Sequence, residues 1–195
     1  MEKIAIYGGA FDPPQKAHEY IVKKIIDDGI REEIIITPSG PRDDKVYKVK
    51  DEFREKIMNI FISCFSGYKV SLEDAFMNGS MGETTSKKMD DFFINKLGYS
   101  PIQIYGVDAA RNMSNRDETG YIPFSLPKII VTREGYNLDG INLGNYIEYN
   151  PEFPSNISSL SSTQIRKNIK NGDYSGLNIE VMKYIKENSL YIENI

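Results

Sequence analysis

Lys3-Ile4-Ala5-Ile6-Tyr7-Gly8-Gly9-Ala10-Phe11-Asp12-Pro13-Pro14-Gln15-Lys16-Ala17-His18 is the stretch whose reading decides the fold. Lys3 to Tyr7 is an apolar run with the length of a buried strand, and Gly8-Gly9 stops it. Beyond the turn the spacing changes: Ala17, Ile21, Val22 and Ile25 recur at helical intervals and define one face. Strand, glycine turn and amphipathic helix in that order open a parallel α/β sheet. Two glycines let a backbone approach a ligand closely, and a helix start offers unpaired N–H groups to an anion. Taken alone, the same pair serves the geometry of a tight turn.

Working outward, Glu33 to Thr37 is a second apolar strand closed by Pro38. Phe53, Ile57, Ile60, Phe61 and Cys64 mark a helix, and Tyr68 to Leu72 alternates like a strand. Met89, Phe92, Phe93 and Leu97 mark the next helix, and Ile102 to Gly106 and Lys128 to Thr132 are further strands. Glu134 to Tyr149 is turn-rich with short apolar pieces and receives no element. Two helices end the chain. One runs from Thr163 to Asn171 and stops at Gly172; the other carries Leu177, Val181, Met182 and Ile185 on one side. Alternation up to Thr132 predicts right-handed crossovers. The expected architecture is one domain over residues 1–195: α/β, a Rossmann-like parallel sheet with helices on both faces and a C-terminal helical segment. In such sheets ligands sit beyond the carboxyl ends of the strands.

Composition narrows the partners. Apolar residues make up 40% and charged residues 27%, the balance of a soluble globule with no membrane partner. Met1 to Tyr7 lacks the basic start and long apolar stretch of a signal peptide. Cys64 is the only cysteine, which excludes an internal disulfide and points to a reducing, cytoplasmic setting. A net charge of -4 with no basic block argues against long nucleic acid. A small anion needs only two or three well-placed cations.

His18, the sole histidine, falls near the first turn of its helix, where it can share a concavity with the Gly8-Gly9 backbone. Beside phosphate its protonated form is favoured and donates a charge-assisted hydrogen bond. Near the other end, Leu160-Ser161-Ser162-Thr163-Gln164-Ile165-Arg166 begins a helix: Ser161 and Gln164 are spaced as a capping box, and Arg166 can reach phosphate oxygens bidentately.

These strings resemble a known family. The first is similar to the G-G-x-F-D-P-x-H-x-G-H motif of the nicotinate or nicotinamide mononucleotide adenylyltransferases, within the wider superfamily of HxGH nucleotidyltransferases. Gly8, Gly9, Phe11, Asp12, Pro13 and His18 match it. Gln15 stands where the first motif histidine is expected, and Ala17 where the glycine is expected. The second string is similar to the family's I-S-x-T-x-I-R segment. Asn171-Gly172-Asp173 and the run from Tyr184 to Tyr191 look like its tail. Gly106-Val107-Asp108 resembles a G-x-D segment that contacts the nucleotide's sugar and base region. Lys45 and Arg54 fall where the family has a basic loop and helix near the phosphates. Thr85 resembles a threonine near the acceptor's ring, and Arg133-Glu134-Gly135-Tyr136 an R-x-G-Y stretch. The resemblance covers nearly the whole chain and is weak from Phe65 to Glu83 and from Arg111 to Phe124.

What it implies is adenylyl transfer from ATP to a pyridine mononucleotide in NAD biosynthesis, with pyrophosphate released and no covalent enzyme intermediate. Such a protein mainly positions reactants and neutralises developing charge. On the resemblance, His18, Gln15, Arg166 and Lys45 are the catalytic set. Gly8, Gly9, Ala10, Phe11, Gly106, Asp108, Ser161, Ser162 and Thr163 bind the nucleotide, and Thr85, Arg116 and Arg133 the acceptor. ATP is a substrate, Mg2+ is carried through its phosphate oxygens without a protein metal cage, and homo-oligomerisation is left open. Two departures matter. Gln15 brings an amide without charge, although the related phosphopantetheine adenylyltransferases have a neutral threonine there; the expectation is an active enzyme that leans on His18. The chain also has no tryptophan where the family presents one. Arg116 lies near that position, Tyr121 or Phe124 offers a flat surface, and an arginine there suits nicotinate over nicotinamide. Two other functions fit the same residues: transfer to a different phosphorylated acceptor, and a nucleotide-binding regulator that has lost catalysis.

Overall fold

The computed structural model describes residues 3–40, 47–81, 84–114, 126–133, 135–140 and 142–192. Its strands are β1 (Ile4–Gly9), β2 (Glu33–Pro38), β3 (Val70–Leu72), β4 (Ile102–Gly106), β5 (Lys128–Val131) and β6 (Ile147–Tyr149). Helices α1 (Lys16–Asp27), α2 (Asp51–Ser63), α3 (Ser86–Leu97) and α4 (Val107–Ser114) alternate with them. Three more, α5 (Ser155–Ser158), α6 (Ser162–Lys170) and α7 (Ile179–Glu187), follow the last strand. Every described pairing is parallel, and the strand order is β3-β2-β1-β4-β5-β6. The chain therefore builds outward from β1 to β3, crosses back, and builds outward again from β4 to β6. The reversal lies between β1 and β4, so a ligand crevice is expected beyond Gly9 and Gly106.

The two faces of β1 explain its sequence. Ala5 and Tyr7 pack into the main core with Ile34, Ile36, Ile57, Phe61, Ile165, Val181 and Ile185, which joins α2, α6 and α7 on one side. Ile6 and Ile35 pack with Phe93 of α3 on the other. The apolar residues predicted for α1, namely Ala17, Ile21, Val22 and Ile25, are its buried ones. No described helix is long and apolar enough to cross a membrane.

Several expectations need correction. Gly8-Gly9 does not end β1; the ladder runs through it, pairing Gly8 with Thr37 and Gly9 with Pro38. A side chain would be crowded at both positions: a Cβ on Gly8 would sit 3.0 Å from Met89 Cε, and one on Gly9 3.1 Å from the Phe11 ring. Strand β3 starts at Val70 rather than Tyr68. The stretch left without an element contains β6, an edge strand whose Ile147 and Glu148 are exposed and only Tyr149 buried, so no apolar run announces it. Helix α4 was also missed, since only Val107 and Ala110 of it join a core cluster.

Burial pushes the phenols of Tyr7, Tyr105 and Tyr149 well above their ordinary value of 10.0. A raised folded value leaves stability intact below pH 10.0 and removes it as pH climbs beyond, because the unfolded chain ionises first. Melting temperature is expected to be lower at about pH 11 than at about pH 9. Replacing Tyr105 by Phe should flatten that decline, which thermal melts across the range would measure.

Candidate active site

The crevice end of β1 continues into a loop held in an uncommon shape. Phe11 has φ +45, a left-handed conformation that side-chain-bearing residues seldom adopt. Its ring locks it there, 3% exposed and packed at 5.4 Å on Tyr7, 4.8 Å on His18 and 6.4 Å on Phe61. Gln15 then caps α1, and its backbone N–H donates to His18 Nδ1 at 3.2 Å. A nitrogen that accepts carries no hydrogen, so the neutral ring bears its proton on Nε2. One helix-start amide is already used as well, since Lys16 N–H donates to Gly176 O at 3.0 Å.

The C-terminal motif docks on this loop. Arg166 Nη1 donates to Asp12 O at 2.6 Å, and Ser162 Oγ to Pro13 O at 3.2 Å. The peptides after Asp12 and Pro13 both enter prolines and have no N–H, so their carbonyls are what the loop can offer a partner. Arg166 Nη2 also donates to Thr163 Oγ1 at 3.2 Å. Ser161 caps α6 by accepting from Gln164 N–H at 3.2 Å, but the Gln164 side chain donates to Asn168 at 2.7 Å instead of closing the capping box. Two strings at opposite ends of the chain thus meet at Asp12-Pro13.

Arg54 lies beneath the same loop. It is 2% exposed, donates to Ser39 O at 2.8 Å, Ala10 O at 3.2 Å and Met77 O at 3.4 Å, and stacks 3.6 Å from the Tyr47 ring. Sequence reasoning placed it near phosphate and missed the brace. The signal was present: Arg54, Ile57, Met58 and Phe61 follow one helical stripe and are the buried residues of α2. Gly40 was missed too. A Cβ there would lie 2.0 Å from Phe76 O, so only glycine fits.

Beyond β4, Asp108 sits in the first turn of α4 with its carboxylate 3.5 Å from Arg133 Nη2. Arg133, expected at the acceptor, donates to Ser158 O at 3.0 Å and Leu160 O at 3.2 Å and lies 4.2 Å over Tyr136. It therefore ties Asp108 to the residue preceding Ser161. Thr85 Oγ1 caps α3, accepting from Lys88 N–H at 3.1 Å. Lys45, Arg116, Tyr121 and Phe124 lie outside the described residues.

Among the described residues, the buried side-chain atoms without a hydrogen bond are Gln15 Oε1, Thr37 Oγ1, Arg54 Nε, Thr132 Oγ1 and Arg31 Nε. Buried polar atoms are normally paired. Thr37 and Thr132 lie at the carboxyl ends of β2 and β5 and Gln15 borders the β1 loop, where a polar ligand would meet them; Arg54 Nε lies beneath that loop. A groove of about 750 Å³ between α1 and the α5–α7 segment, lined by Tyr20, Tyr174, Ile179 and Met182, contains none of the expected site residues.

No protein-family model matches the chain. It is 31% identical over 146 residues to a protein of Aliarcobacter butzleri named probable nicotinate-nucleotide adenylyltransferase, covering 70% of this chain and 75% of that one. A protein of Acholeplasma laidlawii with the same name is 29% identical over 196 residues, covering 97% and 98%. The fold recurs in the nicotinic acid mononucleotide adenylyltransferase of Plasmodium falciparum complexed with NaAD, with a TM-score of 0.82 at 24% identity over 100% of this chain and 99% of that one.

Proposed function

This chain belongs to the nicotinate-nucleotide adenylyltransferase family, and from that premise we propose that it joins the phosphate of nicotinate mononucleotide to the α-phosphorus of ATP. A phosphate oxygen of the acceptor forms the new P–O bond, the bond to the β-phosphate oxygen breaks, and pyrophosphate leaves. The observation that carries the reading is the docking of Arg166 on the loop that leads to His18.

No protein nucleophile is required, so the residues bind, orient and neutralise. In this reading the Nε2–H of His18 donates to the phosphates, and the guanidinium of Arg166 turns its remaining donors to them. Lys45 adds charge, and Gly8, Gly9, Ala10 and Phe11 form the floor beneath. Gly106 and Asp108 meet the sugar and base, with Ser161, Ser162 and Thr163 closing the nucleotide side. Thr85, Arg116 and Arg133 belong to the acceptor side, where Arg116 suits a ring carboxylate. Among the described residues no three His, Cys, Asp or Glu side chains cluster to hold an ion, and magnesium enters as part of the substrate, carried on ATP.

Gln15 is 5% exposed, and in this reading its amide meets the reacting phosphates without a charge. Charge-assisted bonds are about twice as strong, so His18 bears more of the work here. The experiment is pyrophosphate release from ATP with the acid and the amide mononucleotide. Turnover is expected with both, with kcat/KM roughly ten- to a hundredfold higher for the acid, as one extra charged hydrogen bond gives. Release without dependence on either mononucleotide contradicts the reading. A second reading, a nucleotide-binding regulator without catalysis, rests on Gln15; it gains if Gln15→His restores a large rate to an inactive parent.

A further inference from the structure

The chain's last described residues end beneath the phosphate loop. Ser189 has φ +51 and Tyr191 φ +66, two left-handed conformations within three residues, neither a glycine. Burial holds the second of them: Tyr191 is 6% exposed and its neighbour Leu190 8%, both within the main core. The strain aims one group. Tyr191 OH donates to Asp12 Oδ1 at 2.8 Å, across 179 residues of sequence.

Asp12 is itself 1% exposed and shared by three segments. Its Oδ2 accepts the backbone N–H of Lys48 at 3.3 Å and lies 3.8 Å from Arg166 Nη1. That same Nη1 donates to the Asp12 carbonyl at 2.6 Å. The Tyr191 phenol is held well above its ordinary value, first by burial and then by the Asp12 carboxylate, against the opposite pull of Arg54 and Arg166. It therefore keeps its proton and serves Asp12 as a donor at any working pH.

We propose that Tyr191 is a positioning residue of the phosphate site: its hydroxyl fixes the Asp12 carboxylate and thereby sets the direction in which Arg166 presents its guanidinium. The inference rests on the adenylyltransferase reading for what Arg166 meets, and on the geometry alone for what aims it. With Oδ1 held by the phenol and Oδ2 by Lys48 N–H, the carboxylate has one preferred orientation and faces Arg166 Nη1 at 3.8 Å, beside the 2.6 Å hydrogen bond to the Asp12 carbonyl. An arginine held before substrate arrives loses less freedom on meeting the phosphates.

The test is a double-mutant cycle between Tyr191→Phe, which keeps the ring and removes only the hydroxyl, and Arg166→Lys. Read-outs are kcat, KM for ATP, ATP affinity by calorimetry and melting temperature. Tyr191→Phe is expected to lower kcat about tenfold and the melting temperature by several degrees, since the buried Asp12 Oδ1 loses its donor, and its effect on kcat is expected to be less than about twofold when Arg166 is already Lys. An equal fold-change in both backgrounds, or an unchanged kcat, overturns the proposal. Should Tyr191→Phe lose its fold, Asp12→Asn in the same cycle carries the same expectation. A wild type that binds ATP but makes no dinucleotide overturns the functional reading instead. The cycle is then read in ATP affinity, where the same loss of effect supports the positioning role and additivity removes it.

Discussion

Replacing His18 by asparagine is expected to lower kcat/KM by about 10²- to 10³-fold, the range seen when one donor to a developing charge is removed. Asparagine is the informative choice because its Oδ1 can still accept the Gln15 N–H that His18 Nδ1 accepts at 3.2 Å. The start of α1 is thereby preserved, while the donor at Nε2 is lost. Either substitution removes the ring that packs at 4.8 Å on Phe11, but His18→Ala loses the acceptor for the Gln15 N–H as well. Alanine should therefore cost more stability than asparagine at a similar loss of rate. Initial-rate kinetics beside thermal melts separate the two effects. Gln15 sharpens the expectation: with a neutral amide at the other motif position, no second imidazole remains to cover the loss.

The largest stability effect is expected at Arg54. Arg54→Met keeps most of the volume on the buried stripe of α2 but withdraws the donors from the carbonyls of Ser39, Ala10 and Met77. Each buried acceptor left alone costs about 1–3 kcal/mol, so a total of about 3–5 kcal/mol is expected after the loops relax. In a chain of this size that is roughly a 10 °C fall in melting temperature. Activity should fall with it. The Ala10 carbonyl that Arg54 holds belongs to the peptide that carries the Phe11 N–H, and in a trans peptide the two point opposite ways. Arg54 thus turns that N–H away from itself, toward the side where the phosphates are expected. Arg54→Lys reaches at most part of this set and should recover only part of the stability, which denaturant titration of the three proteins would show.

The readable and unreadable parts of the molecule differ in kind. Strands β1, β2 and β4 and helices α1 and α2 bury enough of their side chains to print a clear period, and α3, which buries only Met89 and Phe93, continues its stripe through the large half-buried Phe92 and Leu97. Strand β6 and helix α4 bury one or two residues each and print none. Gly8-Gly9 was misjudged as a strand end, because the ladder partners that carry β1 through it, Thr37 and Pro38, lie on another strand. His18 and Arg166 were found as members of matched motifs. Arg54 was visible as a charge on an apolar stripe, yet it was noted only for the family's basic helix near the phosphates and its bracing role was not read. Asp12 was read as a motif letter; its partners Tyr191 and Lys48 lie 179 and 36 residues away, beyond any local pattern.

The central claim is that the two ends of the chain make one triphosphate site above β1. Its most direct test is a crystal structure with a non-hydrolysable ATP analogue bound. The account expects the phosphates beyond Gly9, with His18 Nε2 and the Arg166 guanidinium both within hydrogen-bonding distance of their oxygens. Phosphates seated in the groove of Tyr20 and Tyr174, or meeting only one of these two residues, would contradict it.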